Sequence, residues 1–214
     1  MVSLQIIQTD YDPKGATDTR DRAIEYQVKQ TFRMDKGRVS FSNEFTGARL
    51  NEVEQTAKNE FRLTILPENE PINKSPWYAF KIWSEIPQTA YIKFSYPENT
   101  GHRYYPKISE AGKHWSLLDS ASYRTENMKE MDGIEIPKNC IIKLDLTSDT
   151  LFISAQELIT SIEVGKWMAQ LDTNDFVSRD TIGKSQQGRP IEMMKIEDGE
   201  KGQDCEFHDG LLTD

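Results

Sequence analysis

Glu68-Asn69-Glu70-Pro71-Ile72-Asn73-Lys74-Ser75-Pro76-Trp77-Tyr78-Ala79-Phe80-Lys81-Ile82-Trp83 carries a proline- and asparagine-rich loop straight into an aromatic run. Strand side chains alternate, so Tyr78, Phe80 and Ile82 face one way and Trp77, Ala79 and Trp83 the other. A strand apolar on both faces belongs in the middle of a sheet that is covered twice. Only Lys81 interrupts it. The run predicts the spine of a β-sandwich.

The neighbouring segments supply further strands. Ile24, Tyr26, Val28 and Phe32 alternate with polar residues, as a half-buried strand does. Asp35-Lys36-Gly37 reads as a turn into a second strand through Val39, Phe41 and Phe45. Phe61, Leu63 and Ile65 form a third, and Ala90, Ile92, Phe94 and Tyr96 alternate after the Ile86-Pro87-Gln88 turn. Weaker strands are expected at Tyr104 to Ile108, His114 to Leu118 and Cys140 to Leu146. Strands at this spacing without a helical period describe an antiparallel β-sandwich in a mainly β chain.

After Asp149 the pattern changes to a short C-terminal α/β segment. Ser154 and Glu157 have capping-box spacing, which predicts a helix over 154–171 with Ala155, Leu158, Ile162, Gly165 and Met168 on one face. Strands are expected at Asp180 to Ile182 and Ile191 to Ile196, around a turn with Gly183 and Gly188. The expected organisation is a lead-in over 1–22, the sandwich over 23–149, helix and strands over 150–198 and an irregular tail over 199–214. Buried large apolar side chains contribute roughly 1.5–3 kcal/mol each. Val164, Trp167, Met168 and Leu171 therefore need a covering surface: the sandwich, a further domain or a second copy of the chain.

Composition narrows the function classes. The 214 residues carry a net charge of −9, which disfavours nucleic acid or an anionic membrane as a partner. Two cysteines, Cys140 and Cys205, are too few for a disulfide framework and fit a reducing compartment. The first residues, Met1 to Gln8, show no secretory signal and no stretch is long enough to span a bilayer. A cytoplasmic location is expected.

Chemistry-bearing motifs are sparse. Ile182-Gly183-Lys184-Ser185 lacks the first glycine of a phosphate loop, since Ser178 stands there. Catalytic zinc needs three protein ligands and an open position. None of His102, His114 and His208 has a glutamate three residues on. The serines lack a nucleophile elbow. One aromatic and basic cluster remains as a candidate interaction surface: His102, Arg103, Tyr104, Tyr105 and Lys107, with His114 and Trp115 close by. It could meet a partner domain or steer acidic peptides. Equally, its tyrosines could cap the sandwich core while its cations stay in water.

Three segments resemble cytosolic-type zinc metallocarboxypeptidases, in their bacterial branch. They are Phe45-Thr46-Gly47-Ala48-Arg49-Leu50; Pro67 to Asn73 with Trp77-Tyr78-Ala79-Phe80 and His102 to Lys107; and Ile182-Gly183-Lys184-Ser185 with Gly188-Arg189-Pro190-Ile191. The last is similar to the opening strands of the family's catalytic domain, so 150–198 is expected to be the start of one. The resemblance implies an antiparallel sandwich that precedes an α/β zinc exopeptidase domain and shapes access to it. Beyond Ile196 the family continues into His-x-x-Glu, a later histidine, substrate-binding arginines and a catalytic glutamate, and this sequence does not. No catalytic, cofactor-binding or metal residue is carried over, and zinc is expected only in a complete family member. The expectation is a non-catalytic N-terminal module. The alternatives are a fragment of an active carboxypeptidase, its gene cut short or shifted in frame, and a free-standing peptide- or glycan-binding sandwich.

Overall fold

The computed structural model describes residues 26–67, 77–98, 100–131, 133–173, 175–185 and 188–197. The lead-in, the loop from Glu68 to Pro76, the tail, Cys205 and His208 lie outside the described residues. The chain divides into two units, Met1–Leu158 and Ile159–Asp214.

Among its described residues the first unit contains eleven strands: Thr31–Met34 (β1), Val39–Ser42 (β2), Glu52–Ala57 (β3), Glu60–Thr64 (β4), Ala79–Ser84 (β5), Gln88–Ser95 (β6), Lys107–Ser109 (β7), Ser116–Leu117 (β8), Tyr123–Met131 (β9), Ile134–Leu146 (β10) and Leu151–Ser154 (β11). They form two sheets, ordered β1-β2-β5-β11-β7-β8 and β3-β4-β6-β10-β9. Every ladder is antiparallel except β4–β6, which is parallel. The mainly β, sandwich architecture read from the sequence is the one observed.

The aromatic spine is β5, flanked by β2 and β11. Phe80 and Ile82 are fully buried and meet the other sheet: Phe80 lies 5.9 Å from Phe94 of β6, and Phe41 of β2 lies 5.3 Å from Phe61 of β4. The outer face of β5 is covered as well. Ala79 is buried, and Lys81 holds its ammonium 5.2 Å and 5.1 Å from the rings of Phe45 and Phe152. The one charged residue of the spine is thus accommodated by ring faces, which attract a cation.

Several segments differ from the sequence reading. The stretch 26–30 is not a strand, and Tyr26 and Val28 are exposed. Fully buried Asn43 takes over its backbone groups, with Nδ2 donating to Val28 O at 2.8 Å and Oδ1 accepting from Gln30 N at 2.7 Å. β2 ends at Ser42, so Phe45 packs from a loop, 5.5 Å from Phe152. β3 and β9 went unread because both are edge strands rich in charge. β10 starts at Ile134, six residues before Cys140, because its first part pairs with β9 alone.

The helix begins at Ser161, not at Ser154. Leu151–Ser154 is instead β11, held between β5 and β7. Thr160 and Glu163 repeat the capping-box spacing and use it: Thr160 N donates to Glu163 Oε2 at 2.7 Å, and Glu163 N to Thr160 Oγ1 at 3.4 Å. Strand pairing on both sides outweighed the local signal at Ser154.

The second unit holds this helix, Ser161–Leu171 (α1), and a hairpin of Val177–Lys184 (β12) and Pro190–Ile196 (β13). Gly165 allows the helix to lie close to the hairpin, since a Cβ there would come 2.8 Å from Glu192 Oε2. Glu192 in turn pairs with Arg179 across the hairpin. Gly183 sits at a register shift inside β12, while Gly188 takes the left-handed conformation of the turn, φ +73°. Of the helix, only Met168 is buried. Val164, Trp167, Ile182, Ile191, Met193 and Ile196 are all exposed. Among the described residues, no helix is long and apolar enough to cross a membrane.

Candidate functional site

The aromatic and basic cluster falls on the loop that joins β6 to β7 and on the segment before β8. Its members do not form one surface. His102 lies inside the sandwich, 3% exposed, which corrects its reading as part of an interaction surface. Its Nδ1 is 2.8 Å from the Tyr96 hydroxyl, and its ring sits 6.1, 5.9 and 5.8 Å from the rings of Tyr78, Tyr96 and Tyr123. Nε2 is buried with no hydrogen-bond partner. Burial lowers the imidazole pKa to about 4, with the Tyr104 backbone pulling the other way. The ring is therefore neutral at physiological pH.

The tyrosines point inward. Tyr105 donates to Leu118 O at 3.0 Å and packs 4.4 Å from Tyr123. Tyr104 is half-buried, and its carbonyl accepts from the fully buried Tyr78 hydroxyl at 2.8 Å. Lys107 pairs with Glu157 at 3.1 Å. Arg103, 5.8 Å from the Tyr104 ring, and His114 are exposed, and Trp115 is half-buried. The tyrosines thus close the end of the core.

Neutral buried groups dominate this end. Burial raises the pKa of Tyr78 and Tyr96, and pushes Tyr123 up to about 12. It also raises the Cys140 thiol, which as a fully buried thiol is a poor nucleophile. Tyr96 was legible as an inward residue from the alternation of β6. Tyr123, at the start of an unread edge strand, gave no signal.

A second concavity lies on the outer face of the five-stranded sheet, lined by Glu60, Arg62, Tyr91, Lys93, Arg124 and Glu126. Its cations are already paired: Arg62 to Glu54 at 3.2 Å, Lys93 to Glu126 at 3.0 Å and Arg124 to Glu126 at 3.5 Å. Surface pairs of this kind contribute about 0–1 kcal/mol each.

Among the described residues, no three His, Cys, Asp or Glu side chains stand close enough to hold a metal ion. His102 is committed to Tyr96 inside the core, and His114 is exposed. The described residues do not fit a catalytic zinc.

No family model matches the chain, and no curated protein matches its sequence significantly. Solved structures do match its fold. A protein assigned as a carboxypeptidase A from Shewanella denitrificans is similar at TM-score 0.55 and 16% identity, over 75% of this chain and 40% of its own. A metallo-carboxypeptidase from Burkholderia cenocepacia is similar at TM-score 0.53 and 14% identity, over 73% and 38%. One from Pseudomonas aeruginosa gives TM-score 0.50 and 16% identity, over 72% and 39%. The chain therefore has the fold of part of a bacterial metallo-carboxypeptidase. It spans about 40% of the length of the structures it matches.

Proposed function

We propose that the chain is the non-catalytic N-terminal β-sandwich module of a zinc-carboxypeptidase-like protein of the cytoplasm. Its work is to scaffold a peptidase domain and shape the approach of peptide substrates. One observation carries the reading. The fold likeness extends over most of this chain and only 38–40% of the metallo-carboxypeptidases. The sandwich has a complete core of its own, whereas the helix and hairpin expose Trp167 at 57% and Ile182 at 65%. A two-stranded hairpin is marginally stable alone in water, so apolar side chains on such a unit mark a surface to be covered.

The same exposure favours a second reading, in which the chain is a fragment of an active zinc metallocarboxypeptidase. The coding sequence downstream of Lys201, read in all frames, separates the two. An open frame with His-x-x-Glu supports the fragment, and its absence supports the module. Sedimentation of the chain then identifies the cover. Trp167→Glu combined with Ile182→Lys is expected to leave the mass unchanged if a peptidase domain covers these faces. A drop from dimer to monomer would assign them to a second copy instead.

A further inference from the structure

The loop residues 100–105 are fastened to the β9–β10 hairpin in three ways. His102 N–H donates to Pro137 O at 2.8 Å. Lys129 donates to the backbone carbonyls of Glu98, at 2.6 Å, and Thr100. Gly101 packs so tightly that a Cβ would lie 2.8 Å from both Pro137 O and Ile136 Cδ1. At the centre is the His102 ring, in a box of aromatic rings from the strand ends.

Every titratable group around that ring is neutral. Tyr78 leads into β5, Tyr96 follows β6, Tyr123 opens β9, and Cys140 of β10 interacts with all three tyrosines. Burial keeps each of them protonated. The charged groups on these elements are Arg103 over the Tyr104 ring, Lys129 at the loop carbonyls with Glu98 and Lys138 near it, and Glu126, which acts on Cys140. With Nδ1–H donating to the Tyr96 hydroxyl, a neutral imidazole leaves only the Nε2 lone pair unpaired. An imidazolium turns that position into a buried N–H donor, and the Tyr104 backbone offsets the burial only in part. A charge in this box gives up its hydration with no carboxylate beside the ring to replace it.

We propose that His102 is an acid-released latch whose protonation expels the ring and frees loop 100–105, with the outer half of the β9–β10 hairpin, from an otherwise intact sandwich. The freed hairpin carries Met128 and Ile134, which are already exposed near its tip. The direction follows from linkage. The ring binds a proton at about its ordinary 6.5 when released and at about 4 when latched. The latch is fully held above pH 6.5. Below it the opening constant rises by up to about tenfold per pH unit, roughly 160-fold by pH 4.

Hydrogen exchange on the full chain tests this, with protection factors normalised to the intrinsic rate at each pH. Between pH 6.5 and 4 the His102 amide is expected to lose protection roughly 80-fold in all. The Ala79 amide, which donates to Arg49 O in the sandwich centre, should hold. In His102→Phe, which keeps a ring in the box, the loop amides should stay flat. If that variant fails to fold, the wild-type His102 ring-proton titration replaces it, with a midpoint between the latched value of about 4 and the released 6.5, and with loop protection lost over the same range. Equal profiles in wild type and variant overturn the latch. So does loss of Ala79 protection in step with the loop, or a ring that titrates while the loop stays protected.

Discussion

Phe80→Ala is expected to destabilise the first unit by about 3–5 kcal/mol, the usual cost of removing a buried phenylalanine. Phe80 is fully buried on the central strand of its sheet and lies 6.1 Å from Phe41 and 5.9 Å from Phe94, rings from its own sheet and the facing one. Its loss leaves a cavity between sheets that neither neighbour can fill without abandoning its own contacts. Domains have about 5–15 kcal/mol of stability, so the variant should sit near its unfolding midpoint in little or no denaturant. Urea unfolding followed by tryptophan fluorescence reads the change. Phe80→Leu, which keeps most of the volume, should cost far less. Equal stability of Phe80→Ala and wild type would mean that the two sheets do not share this core.

The second large effect is expected at Arg49, which is 2% exposed. Its backbone pairs with Ala79, N to O at 2.8 Å, at the head of β5. Its guanidinium reaches the chain leaving β4, with Nε donating to Leu66 O and Nη2 to Pro67 O, both at 2.7 Å. One side chain thus ties the two sheets together where the chain passes between them. Hydrogen bonds to charged groups contribute about 1.5–3 kcal/mol each, and buried carbonyls left without a donor add their own cost. Arg49→Leu is therefore expected to lose about 3 kcal/mol in urea unfolding. Arg49→Lys should recover only part, since an ammonium cannot reproduce the planar fork. Full stability in Arg49→Leu would show that the two carbonyls find other donors.

The legible part of the fold was the part with strict alternation and heavy burial. In β5 and β6 the apolar residues Phe80, Ile82, Ala90, Ile92 and Phe94 face the core as their order in the chain requires. The edges were not legible. Glu52–Ala57 buries only Val53, so its pattern reads as solvent until pairing with β4 makes it a strand. The helix start could not be settled locally, because Ser154 and Thr160 offer the same cap and only tertiary pairing of Leu151–Ser154 decides between them.

The candidate site failed for a related reason. His102 sits in a polar, basic stretch whose local character is that of a surface loop. Its burial is decided by Tyr78, Tyr96 and Tyr123, which lie far apart in sequence and meet only when both sheets form. Conversely, Arg103 and Lys107 differ in role despite their closeness, because strand β7 presents Lys107 to Glu157 and the preceding loop leaves Arg103 in water.

The most direct test is to purify the 214-residue chain, measure bound zinc by mass spectrometry of the metal, and incubate it with peptides of varied C-terminal residue. A supporting module should bind no stoichiometric zinc and release no C-terminal amino acid. One zinc per chain, together with C-terminal release abolished by a chelator and restored by the metal, would contradict it.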